Sequence, residues 1–159
     1  ARLQFNYRLL ADETLAQRDE WECDPDDTFV TNPNFDYSIV RVKEKEGQKA
    51  GDVWGHLNLH HGASIFENQR VNIIQHPQGR FQEIVFRDNQ VRAVKDQFIQ
   101  YLTDTDYGTS GSPVFDDWFN VVTLHNQRVR DPNNPDRWYR NQGYRVEAII
   151  ADTGDLIPT

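Results

Sequence analysis

Methionine is absent from this chain of 159 residues, cysteine occurs once, and basic side chains are outnumbered by acidic ones, 17 to 25. Each shortage excludes something. The net charge of -8 argues against a general nucleic-acid binder, because phosphate backbones demand clustered Lys and Arg. The few basic residues after Gln127 (Arg128, Arg130, Arg137, Arg140) are interleaved with Asp131 and Asp136, and a solvated loop explains them. No stretch approaches the ~20 apolar residues of a membrane span, and nothing resembles a signal peptide. Cys23 alone forms no intrachain disulfide, which favours a reducing, cytoplasmic compartment, with secretion as the alternative. With no Met and an opening directly into a strand pattern at Ala1, the chain is expected to be a processed product or a fragment.

What is present is enough for one folded domain. Hydrophobic residues make up 37% and charged residues 26%, a balance that supports a core. Leu3, Phe5, Tyr7 and Leu9 alternate with Arg2, Gln4, Asn6 and Arg8, the period of a half-buried strand. Strand-like runs follow at 28–31, 37–43, 71–75, 81–87, 91–95, 98–102, 113–115, 119–125 and 144–150. Turn formers separate them, among them Asp24-Pro25-Asp26-Asp27, Asn32-Pro33-Asn34 and His76-Pro77-Gln78-Gly79. Short strands with such punctuation predict an all-β sandwich or barrel. Helix is expected only weakly, over 12–20 and just after Glu147, and the polar run 131–140 is expected to be a surface loop.

The sharpest local signal is Gly108-Thr109-Ser110-Gly111-Ser112-Pro113, set between two strands. Acyl transfer by serine needs an exposed hydroxyl and two N–H groups aimed at the developing oxyanion. A glycine two residues before the serine lets the backbone turn so that its own N–H and the serine's share one hole. An ordinary Gly/Ser-rich turn between strands has the same composition and remains the alternative at this level.

Gly108 to Phe115 resembles the nucleophile motif of chymotrypsin-like (trypsin-fold) serine peptidases, most closely the bacterial branch that includes glutamyl endopeptidases. Asn34-Phe-Asp36-Tyr-Ser-Ile-Val-Arg-Val42 resembles the segment carrying that family's triad aspartate. Val71 to Gly79 is similar to the turn that opens the second barrel, and Asn141 to Ile149 to the closing strand and the start of the terminal helix. The resemblance implies a two-barrel fold, residues 1–69 completing the first barrel and 70–159 forming the second with a terminal helix. It implies Ser110 as nucleophile, the N–H groups of Gly108 and Ser110 as oxyanion hole, and Asp36 as the group orienting the histidine. No cofactor and no metal are implied; the expected partner is a polypeptide substrate.

The histidine departs from the pattern. The triad order of this fold is His, Asp, Ser, with roughly 45 residues from His to Asp, yet none of the 35 residues before Asp36 is His. The general base and the first strands of the first barrel are therefore expected from an upstream segment of the same protein. His76 would give the order Asp, His, Ser, but its turn context favours a structural role; His56, His60 and His61 lack the spacing of a metal site. Thr109 stands where digestive trypsins carry an Asp that pairs with a newly exposed α-amine, so activation by that pairing is not expected.

The implied specificity residues conflict. Asp104 matches the position that binds Lys or Arg in trypsin-like enzymes, whereas Thr105 and His125 match those that recognise Glu in glutamyl endopeptidases. The resemblance to bacterial trypsin-like domains joined to sensor or effector modules implies regulatory proteolysis. A non-catalytic module that binds a peptide through the same groove is the rival reading, and a hydrolase of small esters is another.

Overall fold

The computed structural model describes residues 1–59 and 64–156, and the chain divides into two compact units, 1–57 and 58–159. In the first, β1 (Arg2–Phe5), β2 (Asp19–Asn32) and β3 (Tyr37–Val42) form an antiparallel sheet in that order, followed by the short α1 (Ala50–Trp54). The residues around 12–20 do not form a helix. Asp12 accepts from the Thr14 N–H and hydroxyl, closing a local turn that competes with helix, and the strand is under way at Asp19. The Asp24–Asp27 stretch, expected as a separator, lies inside β2. There the register against β3 slips between Asp24 and Phe29, a bulge that tolerates Pro25 in a strand.

Aromatic packing holds this unit. Phe5 stacks on Trp54 at 5.8 Å and meets Trp21 edge-on at 6.4 Å. Asp19 accepts from both indole N–H groups, at 2.7 and 2.9 Å, and pairs with Lys45 at 2.5 Å; the Lys45 bond, first, and the two indoles hold its carboxyl down to about 2. Leu3 and Leu9, read from their alternation as inward-facing, are 38% and 37% exposed.

The second unit is one antiparallel sheet of seven strands: β4 (Asn72–Gln75), β5 (Glu83–Val85), β6 (Val91–Val94), β7 (Phe98–Tyr101), β8 (Pro113–Phe115), β9 (Val121–Asp131) and β10 (Asn134–Arg145). Their spatial order is β5-β4-β8-β9-β10-β7-β6. The residues entering β4 and β6 bond to each other (Arg70 bridges Gln90, Val71 N donates to Asn89 O, Val91 N to Gln69 O), rolling the sheet into a barrel.

Strand alternation supplies two cores from the same strands. Ile73, Val114 and Val122 join Val71, Val91, Ile99 and Tyr101 in one cluster, while their neighbours Ile74, Phe115 and Val121 pack with Val146 and Ile150 of α2 (Val146–Thr153). The run 144–150, expected as strand, thus turns helical at Val146, where Val146, Ile149 and Ile150 share a buried helical face and Val146 and Ile150 join the second cluster.

The run 131–140 is also not a loop. It is the tip and second arm of the β9–β10 hairpin, with Asp131 opposite Asn134 across Pro132-Asn133. Asn133 N donates to Asp131 Oδ1 at 2.9 Å, and Arg130 stacks 3.6 Å over Trp138 across the pair. Further down, Gly143 faces His125 beside a register shift, and a Cβ there would lie 2.3 Å from Leu124 O.

Candidate active site

Ser110 sits in the 102–112 connection between β7 and β8, and its neighbours are tied down from three directions. From β4, Gln75 donates to the Asp104 carbonyl at 3.2 Å and accepts from the fully buried Thr109 hydroxyl at 2.9 Å. From the turn after β4, Gln78 donates its N–H to Tyr107 O at 2.5 Å and its amide to the Asp106 carboxylate. From β9, His125 O accepts from Gly111 N at 2.8 Å and His125 N donates to Ser112 O at 3.0 Å. Thr109 therefore spends its hydroxyl on Gln75, where a charged side chain would have no counter-ion.

Two glycines make the turn. Gly108 has φ +90° and Gly111 φ +83°, both left-handed values that L side chains resist. Gly108 is also packed tightly: a Cβ would lie 3.1 Å from His76 O and 3.2 Å from Gln78 N. The result is a distinctive donor pattern. Thr109 N is used by Asp106 O at 3.2 Å, whereas the N–H groups of Gly108 and Ser110 donate to no acceptor among the described residues. Two free N–H groups flanking a used one, beside an exposed hydroxyl, match the requirement for stabilising an oxyanion.

Ser110 Oγ donates to Asn126 O at 3.4 Å. A cavity of about 230 Å³ opens there, its wall including Gly108, Ser110, His125, Asn126, Arg128 and Trp138. Asn126 Oδ1 is buried and accepts no hydrogen bond among the described residues. His125 Nδ1 lies 2.8 Å from the Tyr101 hydroxyl. Burial, and secondarily the Arg128 guanidinium, push His125 down to about 4, so it is neutral at pH 7; burial pushes the Tyr101 phenol up, so it keeps its proton.

The other expected residues fall as follows. His125 lines the Ser110 cavity. Asp104 is exposed, outside that cavity's lining, and its tie to the fold is its carbonyl. Thr105 bonds Asn141 Oδ1 at 2.8 Å and lines a neighbouring cavity. Asp36 is exposed in the first unit at the end of the β2–β3 turn, with φ +50°. His76 uses Nδ1 on Arg80 O at 3.0 Å and shapes the turn against Gly108. His56 is exposed, while His60 and His61 lie outside the described residues. Sequence reasoning missed Asn126 and Arg128. Their only signal is position, one and three residues beyond His125 on the same strand.

Residues 5–124 match the trypsin-like peptidase domain family, three-quarters of the chain and all of the Ser110 turn. The chain belongs to that family. The trypsin-like peptidase domain is 29% identical over 195 aligned positions to the uncharacterized protein y4fB of Sinorhizobium fredii (strain NBRC 101917 / NGR234). That alignment takes in 99% of this chain and 29% of the relative, so the chain spans under a third of that protein's length. Among solved structures, a Glu endopeptidase in complex with MPD superposes with a TM-score of 0.61 at 13% identity, over 95% of this chain and 77% of that one. The domain thus has the chymotrypsin-like fold that the Ser110 motif implied. No helix among the described residues is long and apolar enough to cross a membrane.

Proposed function

We propose that this domain is a serine endopeptidase that cleaves internal peptide bonds through an acyl-enzyme on Ser110. The observation that carries the reading is the pair of unused N–H groups, Gly108 and Ser110, beside the exposed Ser110 hydroxyl. The carbonyl of the scissile bond would be polarised there as Oγ attacks, and the oxyanion held by two donors already in place. Asp36 would orient the histidine that takes the Ser110 proton. We take that histidine from an upstream segment of the same protein, because the triad order of this fold is His, Asp, Ser and none of the 35 residues before Asp36 is His. The Ser110 hydroxyl donates to the Asn126 carbonyl, a contact that by itself gives no activation.

The length of the S. fredii relative, more than three times that of the aligned chain, supports a domain carried in a larger protein; a sensor or effector module joined to it is part of the proposal. Regulatory proteolysis in the cytoplasm, as in a defence system, suits that arrangement. The rival, a non-catalytic peptide-binding module, is favoured by one observation: the hydrogen bond of Ser110 goes to a carbonyl rather than to a base.

A serine-directed phosphonate probe decides between them. The complete protein is expected to label at Ser110 and to cleave a protein substrate, and Ser110→Ala is expected to lose both while staying folded. Intact turnover in a folded Ser110→Ala variant would sink the assignment. Absence of labelling in the complete wild-type protein would favour the binding module.

A further inference from the structure

A cavity of about 360 Å³ opens in the second unit at the turn between β5 and β6, and it shares no lining residue with the Ser110 cavity. Its wall is Arg70, Phe86, Arg87, Asp88, Asn89 and Gln90. These residues sit where the barrel closes, since Arg70 bridges Gln90 and Val71 N donates to Asn89 O at 2.8 Å. The volume falls in the range of small-ligand sites, roughly 300–1,000 Å³.

One polar group on this wall lacks its complement. Asn89 is 3% exposed and its amide donates to Val85 O at 2.6 Å, but its buried Oδ1 accepts from no described residue. Buried amide oxygens in folded proteins are normally satisfied, so this one calls for a donor. The charges are unmatched as well. Elsewhere an arginine closes on a neighbouring carboxylate, as Arg80 does on Glu83 and Arg145 on Glu147. Here Arg70 and Arg87 share a cavity with Asp88, yet none of the three side chains forms a hydrogen bond or ion pair with any described residue.

Two cations and one carboxylate leave the wall with a single positive charge, which suits a carboxylate ligand better than a phosphate that approaches two negative charges. Guanidinium forks match carboxylate geometry, an amide N–H matches Asn89 Oδ1, and the exposed Phe86 ring offers an apolar contact. An acylated amino acid carries carboxylate, N–H and side chain within a few atoms.

We propose that this cavity binds an acylated amino acid, the chemical form of a peptide's C-terminal residue, with Arg70 and Arg87 on the carboxylate and Asn89 Oδ1 on the N–H. The site is separate from Ser110, and the proposal stands whether or not the domain cleaves peptides.

Calorimetric titration of the complete protein tests it with three related probes: N-acetylleucine, N-acetylleucinamide, which lacks the charge, and 4-methylpentanoate, which lacks the N–H. N-acetylleucine is expected to bind about tenfold more tightly than either, the worth of one charge-assisted hydrogen bond. The preference for acid over amide should shrink with added salt. Arg70→Gln combined with Arg87→Gln should remove it, while Arg128→Gln, on the Ser110 cavity, should leave it unchanged. A preference that survives the double variant, or that is lost in Arg128→Gln, overturns the site. Equal binding of acid and amide overturns it, as does inorganic phosphate binding as tightly as N-acetylleucine. No saturable binding of any probe also overturns it, since water then suffices for Asn89 Oδ1. A pentapeptide ending in free leucine separates the two sources of this chemistry. Binding as tight as that of N-acetylleucine assigns the site to peptide C-termini, and no binding assigns it to small acylated amino acids; both keep the site.

Discussion

The Tyr101 hydroxyl sits 2.8 Å from His125 Nδ1, and both side chains are buried in the second unit. One ring belongs to the core and the other to the wall of the Ser110 cavity, so the hydrogen bond couples packing to the site.

That coupling has a pH signature. His125 is held near 4 when folded, against 6.5 when unfolded, so the unfolded chain binds the extra proton between those values. Stability is then fully present above pH 6.5 and lost as pH falls toward 4, by about 3 kcal/mol from this residue. Histidine ring NMR should show His125 neutral at pH 5.5. Unfolding measurements should show a loss over that window that His125→Phe abolishes. A ring titrating near 6.5 would contradict the burial argument.

Gly108→Ala should hurt turnover more than folding. The left-handed φ and the 3.1 Å approach to His76 O both resist a Cβ, so the N–H pair must shift. Loss of one oxyanion donor typically costs about 10²–10³ in kcat. Kinetics of the complete protein should show that fall in kcat with KM changed far less; a variant with wild-type kcat would remove Gly108 from the site.

Thr109→Val keeps the shape and deletes the hydroxyl that Gln75 Oε1 accepts from at 2.9 Å. The stranded acceptor is buried, so thermal or urea unfolding should report a loss of about 1–3 kcal/mol. An unchanged midpoint would mean that Gln75 finds another donor.

Asp104→Ser should change cleavage after Arg or Lys by less than about twofold, since the carboxylate is exposed and outside the cavity wall, where surface charges contribute little. A large loss in a digest of a peptide library would place Asp104 at the pocket base after all.

Much of the second unit was legible because its cues are local. Alternation at 71–75, 91–95 and 98–102 and the Gly-Thr-Ser-Gly run each state their structure within a few residues. The 131–140 arm was not, because its strand is held by cross-strand pairs such as Arg130 on Trp138, which a linear reading of DPNNPDRWYR does not reveal. The bulge at Asp24–Phe29 hid for the same reason, since register belongs to the pair of strands. At the site, the tight turn through Gly108 and Ser110 was legible from its composition, whereas the placement of Asn126 and Arg128 on the cavity wall depends on which way β9 faces. Asp104 was matched by its spacing from the serine alone, and spacing does not fix side-chain direction; its side chain is exposed and outside the lining of the Ser110 cavity.

The two-core arrangement of β8 constrains how this domain changes over generations. Val114 feeds one cluster and Phe115 the other, directly after the Ser110 turn. A single-codon insertion or deletion between Ser110 and Phe115 would exchange the two populations of side chains and misdirect the turn together. Length variation should therefore be purged from this stretch and gather at the hairpin tip around Pro132-Asn133, where adding residues disturbs neither core.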